Sequence, residues 1–401
     1  MNPIRFFVSR QRAVAPSSNF IFRWLAPVAL VALAVSTVLL GIHAKDLVLN
    51  SRDGAIARNI TDPAAPGFSA QVIPTPTFLV VQTNDKNELV GVTLMSLAST
   101  DGGGGTLLFF PSDVIITLAT GDSATLAGIY ASAGNDGATV VRRALSRMIE
   151  ADIDGSINLG ADALAKLILP VAPLQYTLRD AVRTVQNGVT VTLLKSGPVA
   201  VTTTEQVRAA TEVLGPGEAS VNRTARQQAF WTAWVGVLHA AGDTSQLLLN
   251  FDTGITHFLR ILAKGNVSYQ QASFTEQTYK GASLLVADKA AILATTREMI
   301  PSPQAYEPGA RVAVELRNGV HDPSLNDAAS RKIVDAGGQV ILLGNAPQFG
   351  VTTSSVVYYD AANKDRIEAF AHAIHLPIPQ FLDRPGSSIE ATVTIGADFT
   401  R

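Results

Sequence analysis

The sequence predicts an α/β protein in two successive parts. Runs of apolar residues on a two-residue period alternate with stretches of helical period, and one proline-rich stretch divides the series. Apolar residues form 47% of the 401-residue chain and charged residues 16%, which supplies sizeable cores and excludes a disordered polymer. A net charge of -2 provides no broad cationic field, so no nucleic-acid partner is expected. With no cysteine, disulfides, iron–sulfur clusters, thiolate zinc sites and cysteine nucleophiles are excluded.

In chain order, residues 24–42 come first as 19 uncharged residues, about the length that a helix rising ~1.5 Å per residue needs to span the hydrocarbon layer. Arg5, Arg10, Arg12 and Arg23 precede them with no acidic residue, whereas Lys45, Asp46, Arg52 and Asp53 follow in mixed sign. The expectation is a single-pass membrane anchor, with residues 1–23 cytoplasmic and the bulk of the chain extracytoplasmic. A cleaved signal ending at Ile42-His43-Ala44 is the rival reading, but its apolar region is ordinarily about 7–15 residues. Residues 43–76 hold Pro63, Pro66, Pro74 and Pro76 among small residues and read as a stalk.

Strands are predicted at 78–82, 89–97 and 106–110, and helices at 138–150, 161–169 and 222–241. Together, residues 77–300 form the first α/β domain. Residues 301–309 carry three prolines and a glycine and serve as a linker. A second domain, 310–401, reads as strand 312–316, helix 325–336 stopped by Gly337-Gly338, strand 339–343, strand 354–359, helix 363–374 and strand 389–395.

The segments 312–319, 335–338, 340–346, 352–360, 366–374 and 393–399 occur in an order that resembles the LytR C-terminal domain. That domain commonly follows a LytR-CpsA-Psr (LCP) domain in anchored envelope proteins of actinobacteria, and residues 77–300 resemble such a domain in degenerate form. The strongest motif is Arg223-Thr224-Ala225-Arg226-Gln227-Gln228-Ala229-Phe230, similar to the family's R-x-x-R-Q-Q-x-F helix. Arginines three apart share a helix face and can present two guanidinium forks to a phosphate. The spacing alone is equally that of an amphipathic helix with solvated arginines.

The resemblance implies a phosphotransferase that moves a glycopolymer from a polyprenyl-pyrophosphate carrier to peptidoglycan at the membrane, using Mg²⁺. It assigns Arg223 and Arg226 to the pyrophosphate, Gln227 to the same pocket, and Asp113 with Asp85 or Glu88 to the metal. The chain also departs from the pattern. Phe110-Pro111-Ser112-Asp113-Val114 stands where the family has I-P-R-D-T, and Glu212 falls at an expected arginine position. Ile153-Asp154 keeps the family's pair, but Pro170-Val171 replaces its two glycines. These departures imply weakened or lost catalysis; the alternative is a non-catalytic envelope scaffold that binds polyprenyl lipid, glycan or a protein partner.

Three further signals read as structural. The run Gly102 to Gly105 lacks the Lys-Ser or Lys-Thr of a phosphate loop and predicts a flexible turn. His372 and His375 have no third metal ligand, and Arg142, Arg143 and Arg147 fit a solvated helix face as well as they fit a substitute phosphate site.

Overall fold

A computed structural model describes residues 60–242, 244, 253–279, 282–384 and 386–399. The chain divides into Met1–Asp62 and Pro63–Arg401, and the architecture below belongs to the second unit. The predicted membrane segment, and the predicted stalk up to residue 59, lie outside the described residues. Among the described residues no helix is long and apolar enough to cross a membrane.

Between residues 77 and 271 runs a five-stranded sheet in the order Val267–Gln271, Gly105–Pro111, Leu89–Leu97, Thr77–Thr83, Gly155–Gly160. The three middle strands pair antiparallel with one another and the two outer ones pair parallel to their neighbours. Strict alternation sends Leu79, Val81, Leu94, Leu108 and Phe110 into one core and Phe78, Val80, Met95, Leu107 and Phe109 into another. Two buried faces require cover on both sides, and this explains the near-continuous apolar runs of these strands. Helix Gly137–Met148 lies over the first face through Val141 and Leu145; helix Ser220–Ala241 covers the second through Phe230, Trp231, Trp234, Val235 and Leu238.

Two sets of strands escape the periodicity reading. Leu174–Leu178 pairs with Gly197–Val201, and Val182–Gln186 with Val189–Leu194 around Asn187-Gly188. A separate sheet joins Phe274–Tyr279, Ala282–Ala287, Ile115–Thr117 and Ser123–Thr125. Two of these strands, Ile115–Thr117 and Ser123–Thr125, are only three residues long, too short for a period to register.

The glycine run is a turn packed against a neighbour rather than a flexible one. Gly103 and Gly104 take φ of +70° and +74°, and a Cβ on Gly103 meets the Ile261 carbonyl oxygen at 2.2 Å. Gly103→Ala is expected to destabilise the fold by about 1–3 kcal/mol, measured by urea unfolding; an unchanged midpoint contradicts this packing.

The C-terminal strands join a six-stranded sheet ordered Ser69–Gln71, Gly338–Asn345, Val312–Asn318, Ala391–Ile395, Ser355–Tyr358, Gln380–Phe381. Helices Ser324–Asp335 and Lys364–Ala373 pack on it through Leu325, Ile333, Ile367 and Phe370. His375 therefore lies beyond its predicted helix, and both His372 and His375 are exposed.

The segment expected to be a stalk ends in structure. Ser69–Gln71 adds an edge strand antiparallel to Gly338–Asn345, and the Thr75 N–H donates to the Ser302 carbonyl at 2.9 Å. Extended, proline-flanked residues suit an edge strand as well as a spacer. The linker is also docked: the Asp152 N–H donates to the Gln304 carbonyl at 2.8 Å, and Arg147 pairs with Glu307 at 2.6 Å.

Candidate functional site

The R-x-x-R-Q segment lies in the first half of helix Ser220–Ala241, whose buried positions include Ser220, Arg223, Thr224, Arg226, Gln227, Phe230, Trp231 and Trp234. This is the three-and-four spacing of a core-facing stripe. Arg223 and Arg226 are thus on the buried face, only 7% and 8% exposed, and the solvated-face reading is overturned.

What they meet is the end of another helix. Thr204–Thr211 begins with a capping box between Thr203 and Gln206 and ends at Glu212. Its last carbonyls have no partner within the helix. Arg226 donates through Nε to the Ala210 carbonyl at 3.3 Å and through Nη2 to that of Val213. Gln227 donates to the Thr211 carbonyl at 2.7 Å, and Arg223 through Nη1 to the Glu212 carbonyl at 3.3 Å. Four consecutive carbonyls, 210 to 213, are capped by three side chains of the motif. Cationic donors at a helix C-terminus also oppose its partial negative charge.

The remaining donors stay inside the protein. Arg226 Nη1 pairs with Glu218, whose other oxygen accepts the Gly215 N–H at 2.7 Å, closing the loop between the helices. Arg223 Nη2 donates to Ser112 Oγ at 2.8 Å, and its Nε is buried without a partner. Burial pulls the Arg223 guanidinium below its ordinary range, an effect opposed first by Asp113. Gly91 makes the approach of Gln227 possible, because a Cβ there falls 2.5 Å from Gln227 Oε1.

Glu212 is 6% exposed, and its Oε1 is buried without a partner. Burial pushes this carboxyl up to about 7 from an ordinary 4.5; Arg208 pulls the other way, while Asp85 and Asp162 add to the rise. Arg208 Nε is 3.9 Å from Glu212, but Arg208 also pairs with Asp85 at 2.8 Å and Asp162 at 3.3 Å. The serine at 112 and the glutamate at 212 are thus parts of the same network as the two arginines.

The carboxylates expected to hold Mg²⁺ are each engaged by a different partner. Asp85 pairs with Arg208, Glu88 accepts from Asn84 Nδ2 at 2.7 Å, and Asp113 accepts from Ser220 Oγ. Among the described residues, no group of three or more histidine, aspartate or glutamate side chains is arranged to hold a metal ion. Asp154, of the Ile-Asp pair, accepts from the Thr77 N–H at 2.7 Å and its hydroxyl at 3.1 Å and so fastens a strand. Arg142 donates to the Ile153 carbonyl at 2.6 Å, while Arg147 is held by Glu307.

No family model matches the chain, and no curated protein matches it. Solved structures similar to it include TagV of B. subtilis, 14% identical over 57% of this chain and 98% of the other, with a TM-score of 0.45. A LytR-Csp2A-Psr enzyme from Actinomyces oris is 13% identical over 58% of this chain and 95% of its own, with a TM-score of 0.42. A LytR-CPS2A-psr family protein, YwtF (TagT), with bound octaprenyl pyrophosphate lipid, is 14% identical over 56% and 89%, with a TM-score of 0.41.

Proposed function

We propose that this is a LytR-CpsA-Psr-like cell-envelope protein that recognises a polyprenyl-linked glycan without carrying out phosphotransfer. The reading joins the sequence resemblance to one observation: every guanidinium nitrogen of Arg226 is engaged inside the protein, by Glu218 and by the Ala210 and Val213 carbonyls. Stabilising charge that builds on a transferring phosphoryl group needs donors already aimed at it. Here a pyrophosphate reaching Arg226 has to displace a carboxylate and uncap a helix. Ser112 supplies no cation, and the buried Glu212 opposes a polyanion whenever it is ionised.

In this proposal the apolar segment 24–42 is the single-pass anchor that keeps the extracytoplasmic domains on the surface where the lipid-linked glycan resides, near peptidoglycan. The C-terminal domain is then part of a fixed scaffold, since Ser69–Gln71 and the 301–309 linker both tie it to the chain beside it.

The test incubates the full chain with a short-chain polyprenyl pyrophosphate and Mg²⁺, following bound lipid and released phosphate together. Bound lipid with no release above the protein-free control is expected. Release that disappears in Arg226→Ala overturns the loss of transfer, and absence of bound lipid overturns the recognition.

A further inference from the structure

A cavity of about 590 Å³ lies between the first domain and the C-terminal sheet, well away from the R-x-x-R helix in sequence. Its volume falls in the range of small-molecule sites, about 300–1,000 Å³. Its lining includes the apolar Ile115, Ile116, Leu118, Met148 and Val286 and the charged Arg147, Glu150, Lys289 and Arg311.

These charges are not equivalent. Lys289 pairs with Glu150 at 3.1 Å, and Arg147 pairs with Glu307 at 2.6 Å. Arg311, 6% exposed, forms no direct ion pair among the described residues, although the Glu150 and Asp335 charges act on it. Its Nε donates to the Glu150 carbonyl at 2.7 Å, and its Nη1 donates to the Val334 and Gly338 carbonyls at 3.2 and 2.7 Å. Nη2 has no partner. Three carbonyls orient the guanidinium, and the Glu150 and Asp335 charges offset only part of the cost of its burial, which still pulls it below its ordinary range. A structural tie between two domains needs only the oriented donors, and Nη2 is left over on a residue that lines the cavity.

We propose that this cavity binds an oxyanion carried on a small apolar body, with Arg311 anchoring the head and Ile115, Ile116, Met148 and Val286 receiving the body. Glu150, which lines the cavity, and Glu307 already pair with Lys289 and Arg147, so the site favours a single compact anionic group over a polyanion. A guanidinium offers such a group a charge-assisted hydrogen bond, strengthened by exclusion of water. The head is a phosphate monoester or a carboxylate, borne either by a soluble metabolite or by a lipid.

The test titrates hexyl phosphate into the full chain in phosphatidylcholine nanodiscs by calorimetry, with inorganic phosphate as the head alone. One-to-one binding of hexyl phosphate, at least about tenfold tighter than inorganic phosphate, is expected. Arg311→Met should abolish it; because that residue also joins the two domains, two further variants carry the test. Lys289 is 59% exposed, and Lys289→Glu should weaken binding at least about tenfold, while Val286→Phe should remove it by filling the cavity.

No binding by the wild type, equal binding of inorganic phosphate, or binding that persists in both Lys289→Glu and Val286→Phe overturns the site. A parallel thermal melt in phosphatidate nanodiscs separates the sources. Stabilisation of the wild type but not of Lys289→Glu assigns the head to a lipid, and stabilisation by hexyl phosphate alone assigns it to a soluble ester; either result supports the site.

Discussion

Replacing Arg226 with alanine is expected to cost about 3 kcal/mol of stability, toward the lower end of what breaking a buried ion pair costs. The side chain leaves behind a Glu218 carboxylate that is 16% exposed and two carbonyls at the end of helix Thr204–Thr211. In Glu218→Ala the guanidinium keeps both carbonyls, so a smaller loss, about 2 kcal/mol, is expected. The double variant should lose less than the sum, with a coupling of about 1–3 kcal/mol. Urea unfolding of the four proteins measures it. Additive losses contradict an Arg226–Glu218 pair, and a stable Arg226→Ala contradicts the capping role.

Glu212→Gln is expected to change stability in a pH-dependent way. The folded carboxyl titrates at about 7, against about 4.5 when unperturbed, because it is buried. The folded state therefore holds its proton after the unfolded state has lost it. The stability this contributes is fully present below pH 4.5 and is lost as pH rises through 7, up to about 3 kcal/mol in all. Glutamine does not titrate and escapes that loss. Relative to wild type, Glu212→Gln should be markedly more stable at pH 8 than at pH 4. An equal difference at both pH values shows that Glu212 does not titrate near 7.

The alternation of 77–83, 89–97 and 105–111 was legible because both sheet faces are buried in apolar side chains, which writes the strands as dense apolar runs. The C-terminal helices were legible for a related reason: Gly337-Gly338 ends one, and Ile367 and Phe370 mark the inward face of the other. The edge strand Ser69–Gln71 was not, since it is exposed and three residues long, and its partner lies more than 260 residues away. Pairing at that separation leaves no local period.

At the site, residue types were legible but their partners were not. Arg223, Arg226 and Gln227 have the spacing of one helix face, yet nothing local says whether that face meets a phosphate or the carbonyls at the end of helix Thr204–Thr211. One signal was present. The stripe through Arg223, Arg226 and Gln227 continues through Phe230 and Trp234, so the arginines had to point toward the core. Ser112 and Glu212 read as departures from a pattern, and in the structure they are adjacent to the arginine whose environment they alter. Arg311 carried no motif, because its significance lies in three carbonyls from distant segments.

The most direct measurement of the central claim, that the R-x-x-R-Q segment caps a helix instead of clamping a phosphate, is native-state hydrogen exchange across residues 204–213 in wild type and Arg226→Met. Protection of these amides is expected to fall selectively in the variant while the strands at 77–83 and 89–97 keep theirs. Unchanged protection at 204–213, together with loss of polyprenyl pyrophosphate binding, would contradict it and return Arg226 to the ligand.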